Sequence, residues 1–175
     1  MMTAIPDPHV LILLQKHNAL RLLKDAYQKV LIPTSIIEEI PTNALDEALT
    51  EGWMEFFDPE MNYLMQVDKI ESKSGIRLSV HEEACLALAL QHKAQPVLTN
   101  DREVDTVAGI LEITTAGIPS VIIGASRSGT IPKREGLELF HNIYGRMLPG
   151  LGIERLFENC PKWQESDTKT QQHPL

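Results

Sequence analysis

Four acidic residues stand where strand-like runs give way to helical ones. Asp7 follows the apolar stretch MMTAIP, and Asp101 comes just after the short run Pro96, Val97, Leu98. Glu39 lies on a short helical segment after Val30, Leu31 and Ile32, and Glu82 opens an apolar helical run. In an α/β sheet, ligands bind outside the carboxyl ends of the strands, the edge at which the following helices begin. Carboxylates gathered in a cleft there repel one another unless a cation neutralises them. Hard oxygen donors suit Mg²⁺ or Mn²⁺, which keep several waters and bridge to phosphate. A site of that kind can activate water and stabilise the leaving oxygen in phosphodiester hydrolysis. Spacing alone does not bring the four acids together.

Each acid also has a plainer reading. Glu82 stands three residues after Ser79, the spacing of a capping box, and Glu38 stands three after Ser35. Asp101 fits the first turn of a following helix, where negative charge opposes the positive helix end. Asp7, between Pro6 and Pro8, fits a turn. Glu39 fits a solvated helix face. Beside the acids, His9 could contact phosphate or donate a proton to a leaving group, or be an exposed loop histidine. Arg102 could contact phosphate or form a surface ion pair. Lys133 and Arg134 could offer a basic edge to RNA, or simply start a helix in solvent.

The elements that must position these groups alternate. Strands are expected at residues 1–6, 30–32, 52–57, 96–98 and 113–115. Helices are expected from Val10, between Leu20 and Tyr27 with Asn18 as a cap, and from Ser35. Further helices are expected at 42–48, over 61–70, from Glu82, after Asn100, and at 118–125 with Pro119 in its first turn. A last one follows Pro132. Residues 72–75 read as a loop. Alternation of this kind gives an α/β fold with a mainly parallel sheet. There is no internal repeat, no Gly-rich phosphate loop, no Gly-x-Ser-x-Gly and no His-x-x-x-His pair.

At 175 residues the chain suits one domain, expected over 1–160, with a polar, disordered tail at 161–175. Hydrophobic residues make up 43% and charged residues 23%, with a net charge of −8. That balance excludes affinity resting on bulk positive charge. It leaves nucleic acid open, because a metal-filled carboxylate site reverses its local field. Cys85 and Cys160 lack metal-ligand spacing, and the compartment reads as reducing, hence cytoplasmic. No apolar run approaches the roughly 20 residues of a membrane span, and no signal peptide is expected.

The order of these motifs resembles the PIN-domain family, a nuclease fold found in many prokaryotic toxins of toxin–antitoxin pairs. The similarity is strongest to a subgroup of predicted nucleic-acid-binding proteins. From Asp7 to Pro33 the sequence follows that subgroup's opening pattern: Asp, two further residues, an apolar run, Leu-Leu, then Val-x-Ile-Pro. Ser-Ile-Ile-Glu-Glu-Ile follows, with Glu39 at the acidic position. His81-Glu82-Glu83-Ala84 resembles the Gly-Glu-x-x-Ala helix, and Val97 to Arg102 resembles a strand-end Thr-Asp-Asp-Arg. ASRSGTI at 125–131 is similar to Ala-Lys-x-x-Gly-Leu-Ile. The resemblance spans roughly Ala4 to Leu148 and implies a three-layer α/β/α fold. It also implies an Mg²⁺- or Mn²⁺-dependent ribonuclease with Asp7, Glu39, Glu82 and Asp101 as metal ligands. Arg102, His9 and Thr99 become substrate contacts, and a homodimer and an antitoxin partner are implied as well. Pro8 and His9 replace small hydroxyl residues, Asn100 replaces an aspartate, and Gly-Ile-Pro-Ser at 117–120 replaces Gly-Thr-Leu-Gly. These departures motivate a second reading, a catalytically weak or inactive PIN-like module that binds RNA or protein. A third is a carboxylate-dependent phosphatase on another doubly wound fold.

Overall fold

The computed structural model describes residues 3–40, 42–145, 155 and 157. The tail expected at 161–175 and the apolar positions Leu151, Ile153 and Leu156 lie outside the described residues.

Five short strands form one parallel sheet: β1 (Thr3–Pro6), β2 (Lys29–Pro33), β3 (Met54–Phe57), β4 (Val97–Leu98) and β5 (Thr115–Ala116), in the spatial order β3-β2-β1-β4-β5. The chain therefore winds outward from β1 to β2 and β3, then crosses back to place β4 on the other side of β1. The order reverses between β1 and β4, and the carboxyl ends of those two strands form the crevice where such sheets bind ligands. Ala4, Ile5, Val30, Ile32, Val97 and Leu98 are fully buried, as expected of parallel strands covered on both faces.

Among the described residues, eight α-helices flank the sheet in a three-layer α/β/α arrangement: α1 (Pro8–Lys16), α2 (Arg21–Ala26), α3 (Asp46–Thr50), α4 (Met61–Ser74), α5 (Val80–His92), α6 (Arg102–Ile110), α7 (Ile118–Ser128) and α8 (Lys133–Tyr144). Helix α5 is the centrepiece. It packs on β1, β2 and β4 and is covered by α4. Its residues from Ala84 to Ala89 are consecutively buried, as a helix apolar on most sides must be.

Several elements depart from the periodicity. The segment after β2 is a tight 3₁₀ helix, Thr34–Glu38, with Pro33 in front of it and no side-chain cap. Ser35 is already inside it, so it cannot serve as the extended residue a capping box requires, and its hydroxyl is buried without a partner among the described residues. The helix expected over 42–48 divides into a 3₁₀ turn, Thr42–Ala44, and α3. Asn18 does not cap α2; it takes a left-handed turn conformation, φ 54°, and Leu20 precedes the helix without a side-chain bond. Helix α4 runs four residues past the expected stop at Ile70. Glu71, polar in sequence, is buried, and its Oε1 accepts the Leu78 backbone N–H at 2.7 Å.

Glu71 also explains an unusual neighbour. Its Oε2 is buried with no donor among the described residues. Glu83, one turn into α5, faces it and is pushed up to about 7, first by burial, then by its hydrogen bond to Glu71 and the charges of Glu71 and Asp68, against the pull of Arg77. A protonated Glu83 supplies the donor that Glu71 lacks. The folded-state value lies above the ordinary 4.5. Protonation costs nothing below that range, the ionised form is penalised above it, and stability falls as pH rises from about 4.5 to 7. Because Glu83 is partly open to solvent, the effect is about 1–2 kcal/mol. Glu83→Gln should therefore be more stable than wild type at pH 8 by that amount and equal at pH 5. Urea denaturation at the two pH values checks this, and parallel curves would remove the shared proton from the account.

Candidate functional site

The crevice at the β1–β4 junction is lined by Asp7, His9, Glu82, Asn100 and Asp101, around a cavity of about 260 Å³. Each acid arrives there by local chemistry. Pro8 restricts the residue before it to extended backbone, so Asp7 leaves β1 at φ −71°, ψ 165°, the conformation of a helix cap. Its Oδ1 accepts the Val10 N–H at 2.7 Å, with Pro8 at the first helical position. The Asp7 backbone N–H bonds to the Leu98 carbonyl at 2.9 Å, which pins the end of β1 to the end of β4. Asp101 caps α6 in the same manner, its Oδ1 accepting from Glu103 N at 2.6 Å and Val104 N at 3.3 Å. Glu82 closes a complete capping box on α5. It accepts the Ser79 N–H at 2.8 Å while Ser79 Oγ accepts the Glu82 N–H at 3.3 Å.

The helix-start readings of Glu82 and Asp101 are thus realised structurally, Asp7 is a helix cap rather than the turn residue expected, and the three carboxylates still line one cleft. Helix starts and strand ends share the same sheet edge, so a capping acid there is also an acid facing the crevice.

Asp7 is 2% exposed. Burial pushes its carboxyl up, with Glu82 adding to the rise; the Thr99 hydroxyl, the Val10 N–H and His9 pull the other way. Cys85 lies beneath, its Sγ 3.7 Å from the Pro6 carbonyl. Burial, then the charges of Asp7 and Glu82, push its thiol far up, so it is an inert core group rather than a thiolate ligand.

Thr99 stands behind the cleft rather than in it. It is buried, its hydroxyl donates to Asp7, and its Oγ1 accepts the Asp101 backbone N–H at 3.0 Å. One side chain therefore couples two of the acids. Arg102 is exposed beside Asp101, outside the residues lining the cavity. Lys133 and Arg134 open α8, where Arg134 Nε pairs with Glu138 at 2.8 Å.

Glu39 does not line the cavity. It follows the 3₁₀ turn, and its Oε1 pairs with His81 Nε2 at 3.0 Å. His81, adjacent to Glu82 on α5, is buried and carries no second partner on Nδ1 among the described residues. Its role was invisible in sequence, because the pairing joins residues more than 40 positions apart. Among the described residues, no three His, Cys, Asp or Glu side chains are arranged as a ready-made metal cage. Carboxylate oxygen is the donor type that a hard divalent cation takes. Three carboxylates from separate segments converge, and one of them carries a charge that burial disfavours.

No helix among the described residues is long and apolar enough to cross a membrane. No curated protein matches the chain. Among solved structures, it is similar to VapBC2 from Rickettsia felis bound to a DNA fragment from their promoter, with a TM-score of 0.52 and 14% identity, over 66% of this chain and 98% of that one. That likeness supports the fold. The family model for DUF3368, a PIN domain, matches residues 3–145, from the first strand to the end of α8. With the sheet order, the β1–β4 crevice and its acids in place, the chain belongs to the PIN-domain family.

Proposed function

We propose that this protein is a metal-dependent ribonuclease acting at the β1–β4 crevice. The observation that carries this reading is the convergence of Asp7, Glu82 and Asp101 with His9 and Asn100 on one cavity. Asp7, Glu82 and Asp101 would hold Mg²⁺ or Mn²⁺, with Glu39, tied to His81 beside Glu82, as the fourth ligand. When bound, such an ion supplies Lewis acidity toward the phosphodiester and acidifies water. The chain's own groups do the rest. Thr99 holds two of the acids in register, the helix caps fix the acids' rotamers, and His9, which lines the cavity, would donate a proton toward a leaving oxygen. Arg102 is the nearest arginine in sequence for a phosphate outside the crevice. The similarity to a VapBC complex supports an antitoxin as a partner and a toxin role for this chain; a homodimer is proposed as its assembly on the family resemblance alone.

A second reading has its own support. The engagement of Glu39 by His81 leaves three carboxylates at the crevice rather than four. A PIN-like module that binds RNA or protein without cutting it fits that arrangement.

One comparison separates the two: cleavage of a mixed single-stranded RNA panel with Mn²⁺ by wild type and Asp101→Asn. Asparagine is as good a helix cap as aspartate, so the fold is kept while the charge is removed. Wild type should cut, and the variant should lose at least the roughly hundredfold that impaired outer-shell support costs a metal site. If neither protein cuts and calorimetry detects no Mn²⁺ binding, the binding module is the correct reading.

A further inference from the structure

Of the five side chains that line the crevice among the described residues, Asp7, Glu82 and Asp101 carry carboxylates, which as anions can only accept hydrogen bonds. The two that can donate are His9 and Asn100. An anionic substrate entering among three acids needs a fixed donor, and Asn100 is built as one.

Its Oδ1 lies 3.4 Å from the backbone nitrogen of Ile118 and 3.4 Å from the Tyr144 hydroxyl. A backbone N–H can only donate, so the amide atom facing Ile118 must be the oxygen. The same oxygen rests against Gly117, where an added Cβ would come within 2.9 Å of it. The α7 start and the end of α8 therefore hold the acceptor end of this amide. The donor end, Nδ2, has no protein acceptor among the described residues and is left for the crevice that Asn100 lines.

We propose that Asn100 is a substrate contact: its Nδ2–H donates to a non-bridging oxygen of the phosphodiester bound in the crevice, while Gly117, Ile118 and Tyr144 position it. This rests on the ribonuclease reading above and adds to it the residue that recognises the phosphate. It also gives the asparagine at this position a function. An aspartate here would be a fourth acceptor, repelling the substrate while strengthening cation binding.

The test is steady-state cleavage of a fluorescent single-stranded RNA with Mn²⁺, alongside calorimetry with Mn²⁺ alone. Asn100→Ala should raise KM about tenfold or more, the worth of one hydrogen bond to a charged group, with Mn²⁺ affinity unchanged. Asn100→Asp should raise KM further and tighten Mn²⁺. Gly117→Ala is the positioning control. Its backbone, at φ −94°, accepts alanine; the added methyl would meet the tip of the Asn100 side chain at 2.9 Å and the Pro119 ring Cδ at 3.2 Å, which has to give by a few tenths of an ångström. It should keep the wild-type melting temperature and raise KM in the same direction. If Asn100→Ala cleaves with wild-type KM, or its defect lies in Mn²⁺ affinity, the assignment is wrong. Should that happen while Asp101→Asn is inactive, the ribonuclease reading stands and only the Asn100 contact falls. If wild type itself neither cleaves nor binds RNA, both fall together.

Discussion

Asp7→Asn should lose Mn²⁺-dependent RNA cleavage by about a thousandfold or more, the scale seen when a member of a catalytic constellation is removed, and yet be at least as stable as wild type. The two effects have one source. Asp7 is 2% exposed, and burial raises its carboxyl above the ordinary value of 3.8. A raised folded-state value means that the ionised carboxylate opposes folding: the penalty is absent at low pH and present once pH has risen through the shifted value. Asparagine removes the charge and keeps the shape. Its Oδ1 can still accept the Val10 N–H, and its amide can still meet the Thr99 hydroxyl. Melting curves should therefore coincide near pH 4 and separate above it, with the variant higher at pH 8. Asp7→Ala gives the contrast, losing the cap and about 1 kcal/mol with it. A variant that keeps its cleavage rate would remove Asp7 from the active constellation. One that melts lower than wild type at pH 8 would show that the buried charge is compensated within the fold.

The largest effect on stability is expected where α7 meets α8. Gly136 is buried against Ser126, and a Cβ at position 136 would lie 2.1 Å from Ser126 Oγ and 3.0 Å from Phe157 Cε1. Neither neighbour has room, since Ser126 and Phe157 are both fully buried. Gly136→Ala should cost about 2–3 kcal/mol through overpacking. The Ser126 hydroxyl has no hydrogen-bond partner among the described residues, so Ser126→Ala alone should be neutral or slightly stabilising. With that hydroxyl gone, the closest Ser126 atom to the new methyl would be its Cβ at 3.4 Å. The double variant should recover most of the loss, with a coupling energy of about 1–2 kcal/mol. Additive losses in a urea-denaturation cycle would place the strain at Phe157 instead.

Much of this arrangement is legible in the residues. The apolar run from Val10 announces the helix that begins at Pro8, and the apolar run after Ala84 announces a helix buried on most sides. The alternation of strands and helices yields the α/β class with its parallel sheet, and the family resemblance adds the three-layer arrangement. What stays hidden is what depends on contacts between distant residues. Ser35–Glu38 and Ser79–Glu82 have the same spacing, yet only the second forms a capping box. Ser79 is extended and precedes an α-helix, whereas Ser35 is caught inside a 3₁₀ turn set by Pro33. The engagement of Glu39 by His81 and the double bond of Thr99 to Asp7 and Asp101 join segments that no periodicity connects. Glu71 lies just past the expected end of α4 and proves to be buried in a helix that runs on to Ser74.

The capping bonds of Asp7, Glu82 and Asp101 have a consequence for how such chains change over evolutionary time. A descendant under no selection for chemistry at the crevice would still need an acceptor at the start of α1, α5 and α6. Drift at positions 7 and 101 should therefore be confined to Asp, Asn, Ser and Thr, and at position 82 to Glu and Gln. Lost chemistry would be recorded first where no backbone group depends on the side chain, at His9. A hydrogen-bond acceptor at each of the three capping positions is what the fold requires, and the exposed position 9, which carries no such duty, is where relaxed selection would first be written.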